Sequence, residues 1–490
     1  MYYKSASMFV FLSLLSLNEA LRILVFFPMS SKSHSILGHG FVDNLLAAGH
    51  EVVHVTAFPK DKPVPNLKEY NLFPSVEKFT EEHKDQMDEY KLGNLIGKGN
   101  LASSIFFPFM TYTLHSIVLY DDIVYNLLGD PKEKFDAVIL EWFFLNSIAG
   151  IAPLFQCPLI WMGSTEAHWE VLRIVDEITN PSYSVGIMSE AFPPLSFVER
   201  VEQLWQMVKK MVIVDGIIVH LDKYMYNDLF GKLATQRGVT LPPYNEAIYN
   251  ASFLFLNSHP SYGTPYRLPQ NAKFIGGYHI DTKVKPLPKD LQKLMDEAKH
   301  GVVYFSMGSH LKSADLKDEM KRSLLDMLGK LKETVIWKFE EDIKNVPSNV
   351  HLVQWAPQQS ILAHPNLKTF ITHGGQLSTT EAVHYGVPVV GAPVMGDQFT
   401  NMKNVAKKGF GILVPFSENL AEDLAVALRE MLSNPSYKNK AKELSAIYHD
   451  RIMTPGKELV HWVEHVVRTR GAPHLRSPAV DVPFYQKIYL

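Results

Sequence analysis

Cysteine is almost missing: Cys157 is the only one in 490 residues. No disulfide can form within the chain, and folding must rest on burial of a core, for which the length suffices for two domains. Excess charge is missing too, with 48 Lys and Arg against 51 Asp and Glu. That balance argues against a nucleic-acid partner. Long unbroken apolar runs are scarce. Residues 101–120 and 142–165 carry no Asp, Glu, Lys or Arg, but Pro108 with interspersed Ser, Thr and His interrupts the first, and Asn146, Pro153, Gln156 and Pro158 interrupt the second. Neither reads as a membrane span, and the second reads as a helix followed by a buried strand. The first βα turn, Pro28 to His34, has no G-x-G-x-x-G, which argues against a nicotinamide-dependent dehydrogenase.

What is present is an α/β rhythm that runs twice. Strand-like Leu21 to Phe27, an amphipathic helix from Ile36 to Ala48 and a strand from Glu51 to Phe58 make a βαβ opening. Ala137 to Leu140 and Leu159 to Met162 supply further buried strands. Residues 60–238 are rich in aromatics and Met, a composition suited to a lipophilic pocket or to simple core. Asp281 to Asp290, with two prolines among Lys and Asp, has the composition of a linker. The rhythm then restarts with Val302 to Phe305, Val335 to Lys338, His351 to Val353, Leu367 to Ile371 and Val387 to Gly391 as strands. Charged helices follow over 420–432 and 437–451.

The most informative stretch is Phe370 to Gln398, FITHGGQLSTTEAVHYGVPVVGAPVMGDQ. A strand leads into the turn Thr372 to Gly375, and a helix from Gln376 to Tyr385 follows, its first N–H groups free to hold a diphosphate. Gly374 and Gly375 let the backbone approach phosphate oxygens, Ser378 adds a hydroxyl, His373 can meet a phosphate, and Glu381 can accept both hydroxyls of a ribose. This stretch resembles the signature of the UDP-glycosyltransferase family, inverting enzymes that glycosylate small lipophiles. Phe370, Thr372, His373, Gly375, Ser378, Glu381, Pro388, Pro393, Asp397 and Gln398 fall at the family spacing, whereas Leu377 stands where many relatives have Asn. The resemblance implies the GT-B fold: two facing Rossmann-like domains with a cleft between them. It divides the chain into an acceptor-binding domain (21–280), a linker (281–299), a UDP-sugar-binding domain (300–455) and a final helix and tail (456–490) that return to the first domain.

Sugar transfer needs a base, an aligned electrophile and stabilisation of the leaving diphosphate. His34, in the loop at the carboxyl end of the first strand, matches the family's catalytic histidine. Glu141, expected just past a strand end on the same rim, is the carboxylate to orient it, where relatives often carry Asp; Asp136 is the competing carboxylate on the wrong edge. His39 and Asp43 read as solvated or supporting groups. For the donor, Gln354-Trp355-Ala356-Pro357-Gln358 offers an indole face for uracil, backbone at Ala356 for the base edge, and Gln358 for ribose or base. Ser306, Gly308 and Ser309 close the phosphate cradle, while Asp397 and Gln398 read the sugar hydroxyls with Asn401 behind them. No Asp-x-Asp pair stands at a strand end near this site, so no metal or cofactor is expected; helix ends, His373 and the Ser-Gly loop take the place of an ion.

The expected donor is UDP-glucose, with UDP-glucuronate as the alternative, and the acceptor is a hydroxyl of a small hydrophobic molecule. A non-catalytic lipophile-binding protein of the same fold is the contrasting class. Lys4, the apolar run Met8 to Leu17 and Asn18-Glu19-Ala20 read as a secretory signal over 1–20, which gives meaning to the N-glycosylation sequon at Asn250. The tail resembles animal members in which a membrane helix comes next, but the chain stops at Leu490. The expectation is a soluble protein of the endoplasmic reticulum lumen or a secreted one, with at most peripheral membrane contact, or a chain cut before its anchor.

Overall fold

The computed structural model describes residues 20–88, 91–97, 106–175, 180–187, 189, 191–309, 311–483 and 486. The apolar run read as a secretory signal lies outside the described residues, as do Phe484 and Tyr485 of the tail.

Short segments that are apolar at nearly every position become strands of parallel sheets, because helices cover both faces and neither side of the pleat can be polar. The first sheet holds β1 (Arg22–Phe27), β2 (Glu51–Thr56), β3 (Leu67–Asn71), β4 (Ala137–Trp142), β5 (Leu159–Gly163), β6 (Phe253–Leu256) and β7 (Ala272–Phe274), in the order β3-β2-β1-β4-β5-β6-β7. The second holds β8 (Val302–Ser306), β9 (Thr334–Lys338), β10 (Val350–Val353), β11 (Leu367–Thr372), β12 (Val389–Gly391) and β13 (Gly411–Leu413), in the order β10-β9-β8-β11-β12-β13. Every pairing is parallel. Both sheets therefore reverse their winding once, between β1 and β4 and between β8 and β11, which is where such sheets open a ligand crevice.

The strands that sequence periodicity does not foresee are β3, β6, β7 and β13. β3, LKEYN, is a half-exposed edge strand, and β7 and β13 have three residues each, too short to show a period. Residues 281–288 run without regular structure, whereas Lys289–Asp296 is a helix whose Leu291 and Met295 join the core of the second sheet.

The helix Pro455–Arg468 leaves the second sheet and covers the first: its Leu459, Val463 and Val466 share one core with Leu37, Phe41 and Leu45 of the helix Lys32–Ala47. Polar contacts join the halves as well. Tyr262 and Thr380 hydroxyls lie 2.9 Å apart, Gln376 donates to the Asn257 carbonyl at 2.6 Å, and Tyr448 donates to the Gly276 carbonyl at 3.0 Å. Each such bond contributes about 1 kcal/mol net. Together with the shared apolar core they hold the two crevices against one another.

Candidate active site

At the reversal in the first sheet, Phe26 of β1 is the register partner of Leu140 in β4, so the segment leaving β1 faces the end of β4. Ser31 caps the helix Lys32–Ala47, its hydroxyl accepting from the His34 N–H at 3.5 Å. His34 thus stands in the first turn of a helix and not in the loop that sequence places there; the Ser31 cap, a standard start signal, begins the helix earlier than its apolar periodicity does. Glu141 also differs from expectation. It lies inside β4 and is fully buried. His34 Nδ1 bonds Glu141 Oε1, and the imidazole and the Phe143 ring meet nearly at right angles, 4.8 Å between centroids. Burial pulls the imidazole down, but the charge and hydrogen bond of Glu141, with the Asp397 charge, outweigh it and hold His34 above its ordinary value of 6.5. Asp136 is at the opposite end of β4, where it accepts from the Arg22 N–H at 2.7 Å.

At the reversal in the second sheet, Ser306 is the register partner of Thr372. The turn after β11 ends at Gly375, which caps the helix Gln376–His384. Gly308, at φ +89, and Gly375 flank the His373 ring so closely that a Cβ on either would come within 2.6 Å of it. Both must be glycine for the imidazole to sit there. Ser306 Oγ accepts from the Gly308 N–H at 3.2 Å, and Ser309 follows in the same turn. Ser378 is buried on the helix, 3.4 Å from Gln358 Nε2.

Glu381 is buried and already engaged: Gln358 Nε2 donates to one oxygen at 2.7 Å and Gln359 Nε2 to the other at 3.2 Å. The turn after β10 carries Gln354 and Trp355 at the surface, with Ala356 buried beneath. Trp355 is 57% exposed, so it is no core residue, and the Lys32 ammonium lies 4.5 Å from its ring centroid. Gln398 Oε1 accepts from the N–H groups of Val394 and Met395 at 2.8 and 3.0 Å, which fixes the loop in front of it. Asn401 Nδ2 donates both to the Gly374 carbonyl at 3.0 Å and to Asp397 Oδ2 at 2.8 Å. It thereby ties Asp397 to the glycine turn. Burial raises the Asp397 pKa against the opposing effects of Asn401 and His34.

Two crevices of this geometry face each other across one cleft, and comparison with known proteins agrees. Residues 22–490 match the model of the UDP-glucoronosyl and UDP-glucosyl transferase family. The chain belongs to this family. It is 32% identical to UDP-glucosyltransferase 2 of Dactylopius coccus over 98% of this chain and 90% of that one. It is 27% identical to UDP-glucuronosyltransferase 2B9 of Macaca fascicularis over 93% and 86%. Among solved structures, the spinosyn forosaminyltransferase SpnP superposes with a TM-score of 0.58 at 17% identity, over 91% of this chain and 99% of that one. The calicheamicin glycosyltransferase CalG4 superposes with a TM-score of 0.54 at 16% identity, over 92% and 99%. These likenesses show the GT-B fold, and family membership makes the chain a glycosyltransferase acting with a UDP-sugar donor and an acceptor.

Within this family member, the structure adds residues that the sequence did not single out. The His279 side chain is fully buried, 3.5 Å from Glu381, with no hydrogen-bond partner on either ring nitrogen. His115, on the helix Phe106–Leu119, is buried and within electrostatic reach of His34 and Glu141; burial keeps it neutral by lowering its pKa. Nothing in the sequence marks either, since each is brought to the site by folding alone. Gln359, adjacent to Gln358, could have been found as the second amide of the pair. Leu377, the departure from the family pattern, packs against the core of the first sheet. What reads as a lost amide is an apolar contact between the halves.

Proposed function

We propose that the chain transfers glucose from UDP-glucose to a hydroxyl of a small lipophilic acceptor, a phenol, steroid, pigment or xenobiotic, with inversion at the anomeric carbon. The observation that carries this reading is the bond between His34 and a wholly buried Glu141 at one crevice, with Asp397 of the other half close enough to bias the imidazole. With Nδ1 committed to Glu141, Nε2 takes the acceptor proton as the acceptor oxygen bonds to the sugar C1. The C1–O bond to UDP breaks, and the diphosphate keeps the electron pair. Glu141 stabilises the imidazolium that results. The N-terminus of the helix Gln376–His384 and His373 receive the growing negative charge, while Trp355 stacks the uracil, Gln358 and Glu381 hold the ribose, and Asp397 and Gln398 read the sugar. No ion is assigned to this step.

UDP-glucuronate is the second donor, because relatives named as glucosyl- and glucuronosyltransferases both match over most of the chain. Purified protein assayed with both donors against a panel of phenols, steroids and flavonoids decides between them; product whose sugar keeps the donor's anomeric configuration, or no product with any pair, contradicts the proposal. The intact His34–Glu141 pair disfavours the non-catalytic reading.

We further propose a secretory location with glycan at Asn250, which is exposed at a helix end. Peripheral membrane contact is supported by Phe197, Val201, Leu204, Trp205, Val208 and Val212, a row at helical spacing exposed by 41% or more. Among the described residues no helix is long and apolar enough to cross a membrane. Co-sedimentation with vesicles, lost in Trp205→Glu, tests the contact.

A further inference from the structure

His39 follows His34 by little more than one helical turn, and of the two readings its sequence position allows, solvated or supporting, its burial favours the second. It is half-buried and meets two residues from the sheet edge. His54 of β2 and Glu69 of β3 are register partners. His54 is fully buried, and its Nδ1 lies 3.0 Å from Glu69 Oε1. His39 Nε2 lies 4.0 Å from the same oxygen and 2.9 Å from the Phe58 carbonyl. One donor atom from each of His39, His54 and Glu69 falls within 4.8 Å of the others. The second carboxylate oxygen is fixed by the Lys60 N–H at 2.8 Å, which leaves Oε1 turned to the imidazoles.

Two imidazole nitrogens and a carboxylate oxygen are a zinc donor set. Metal–ligand bonds of about 2.0–2.2 Å in a tetrahedral site place donor atoms roughly 3.3–3.5 Å apart, and the separations of 3.0 and 4.0 Å bracket that spacing. The protonation states suit a cation. Burial lowers the pKa of both histidines and keeps them neutral, while for Glu69 the hydrogen bonds to His54 and Lys60 and the nearby imidazoles overcome burial and hold it ionised. The nearest cation, Lys60, is paired with Asp43. Binding requires each imidazole to move its proton to the other ring nitrogen. For His54 that nitrogen is Nε2, buried against Gly38 with no acceptor, and the unpaired N–H offsets part of the gain from the metal bonds.

We propose that His39, His54 and Glu69 form a site for a divalent transition metal, best suited to Zn2+, that fastens the helix carrying His34 to the β2–β3 edge. The Phe58 carbonyl, which also accepts from Ser35 Oγ at 3.4 Å, or a water completes the shell. The ion acts on the rigidity of the helix and takes no part in the transfer, so the site stands whether or not the proposed reaction does.

The test uses the full chain, stripped with chelator and desalted. His465 and His474, whose Nε2 atoms are 3.1 Å apart at the surface, offer a competing site, and the parent protein therefore carries His465→Ala and His474→Ala. Addition of Co2+ should give the visible absorption of a tetrahedral site, bleached by one equivalent of Zn2+, and Zn2+ should raise the melting temperature. His39→Ala and Glu69→Gln, each verified as folded by circular dichroism, should lose the absorption and bind Zn2+ at least about tenfold more weakly. Absence of the band in the parent, or Zn2+ uptake unchanged in both variants, overturns the proposal; in that case the three residues are a polar tie between helix and sheet edge.

Discussion

The two sheets share one winding, yet their crevices are equipped with opposite chemistry. On the proposed reading, the working groups at the β1–β4 reversal are titratable side chains, His34 on a buried Glu141. At the β8–β11 reversal the same reading assigns the diphosphate to backbone N–H groups at Gly375 and to hydroxyls and amides around His373, which sits between two glycines, and leaves the carboxylates Glu381 and Asp397 to the ribose and the sugar. Moving a proton needs a group whose charge can change near neutral pH, which burial next to a carboxylate provides. Holding a diphosphate needs donors whose charge does not change with pH, which a helix end provides. On this proposal one fold supplies both, because the crevice is set by topology and its contents by a few residues at strand ends.

If that division holds, substitutions in the first crevice should damage turnover and spare nucleotide binding. His34→Ala should lower kcat by about 10^2- to 10^4-fold with the affinity for UDP, measured by calorimetry, nearly unchanged. Glu141→Ala should be comparably impaired and Glu141→Asp less so. A His34→Ala protein that still turns over, or that no longer binds UDP, would erase the distinction between the halves.

His373 is where the two kinds of chemistry could overlap. His373→Ala should reduce kcat by about 10^2-fold, the scale for losing one donor to a developing charge, with little change in acceptor KM. Gly308→Ala, whose Cβ would meet the His373 ring at 2.6 Å, should have a similar effect by displacing that ring. Activity of the parent protein should persist in excess EDTA during a short assay; loss restored only by magnesium or manganese would replace the helix end by an ion. A slow loss restored by zinc points instead to the proposed site at His39.

Smaller effects should fall on binding alone. Trp355→Ala and Glu381→Ala should each weaken UDP by roughly 1 to 3 kcal/mol, read by calorimetry, with kcat at saturating donor close to the parent's. His279→Ala, which removes the imidazole beside Glu381, should weaken UDP by less than Glu381→Ala does. Unchanged affinity in all three would place the nucleotide elsewhere.

The halves also differ in how much of them the sequence displays. In the second, the turn, the helix cap and Asp397 lie within one contiguous stretch from Phe370 to Gln398, so local spacing alone groups them. In the first, His34 and Glu141 are 107 residues apart, and only the adjacency of β1 and β4 joins them. The strand at Phe253–Leu256 is four apolar residues long, too short to separate from a buried helix segment. His115 and His279 carry no pattern at all, and Leu377 acquires its role only when the second half meets the first.

The pH dependence of kcat/KM with UDP-glucose, compared between the parent and Glu141→Gln, tests the central claim most directly. A base works only when unprotonated, so activity should rise with pH through the His34 pKa, and in the parent that rise should be centred above 6.5 because Glu141 holds the imidazole there. Removing the carboxylate charge leaves burial to dominate, which should move the midpoint to lower pH while the plateau falls. An unmoved midpoint in Glu141→Gln, or a parent profile without an acidic limb, would contradict the assignment of His34 as the base that Glu141 orients.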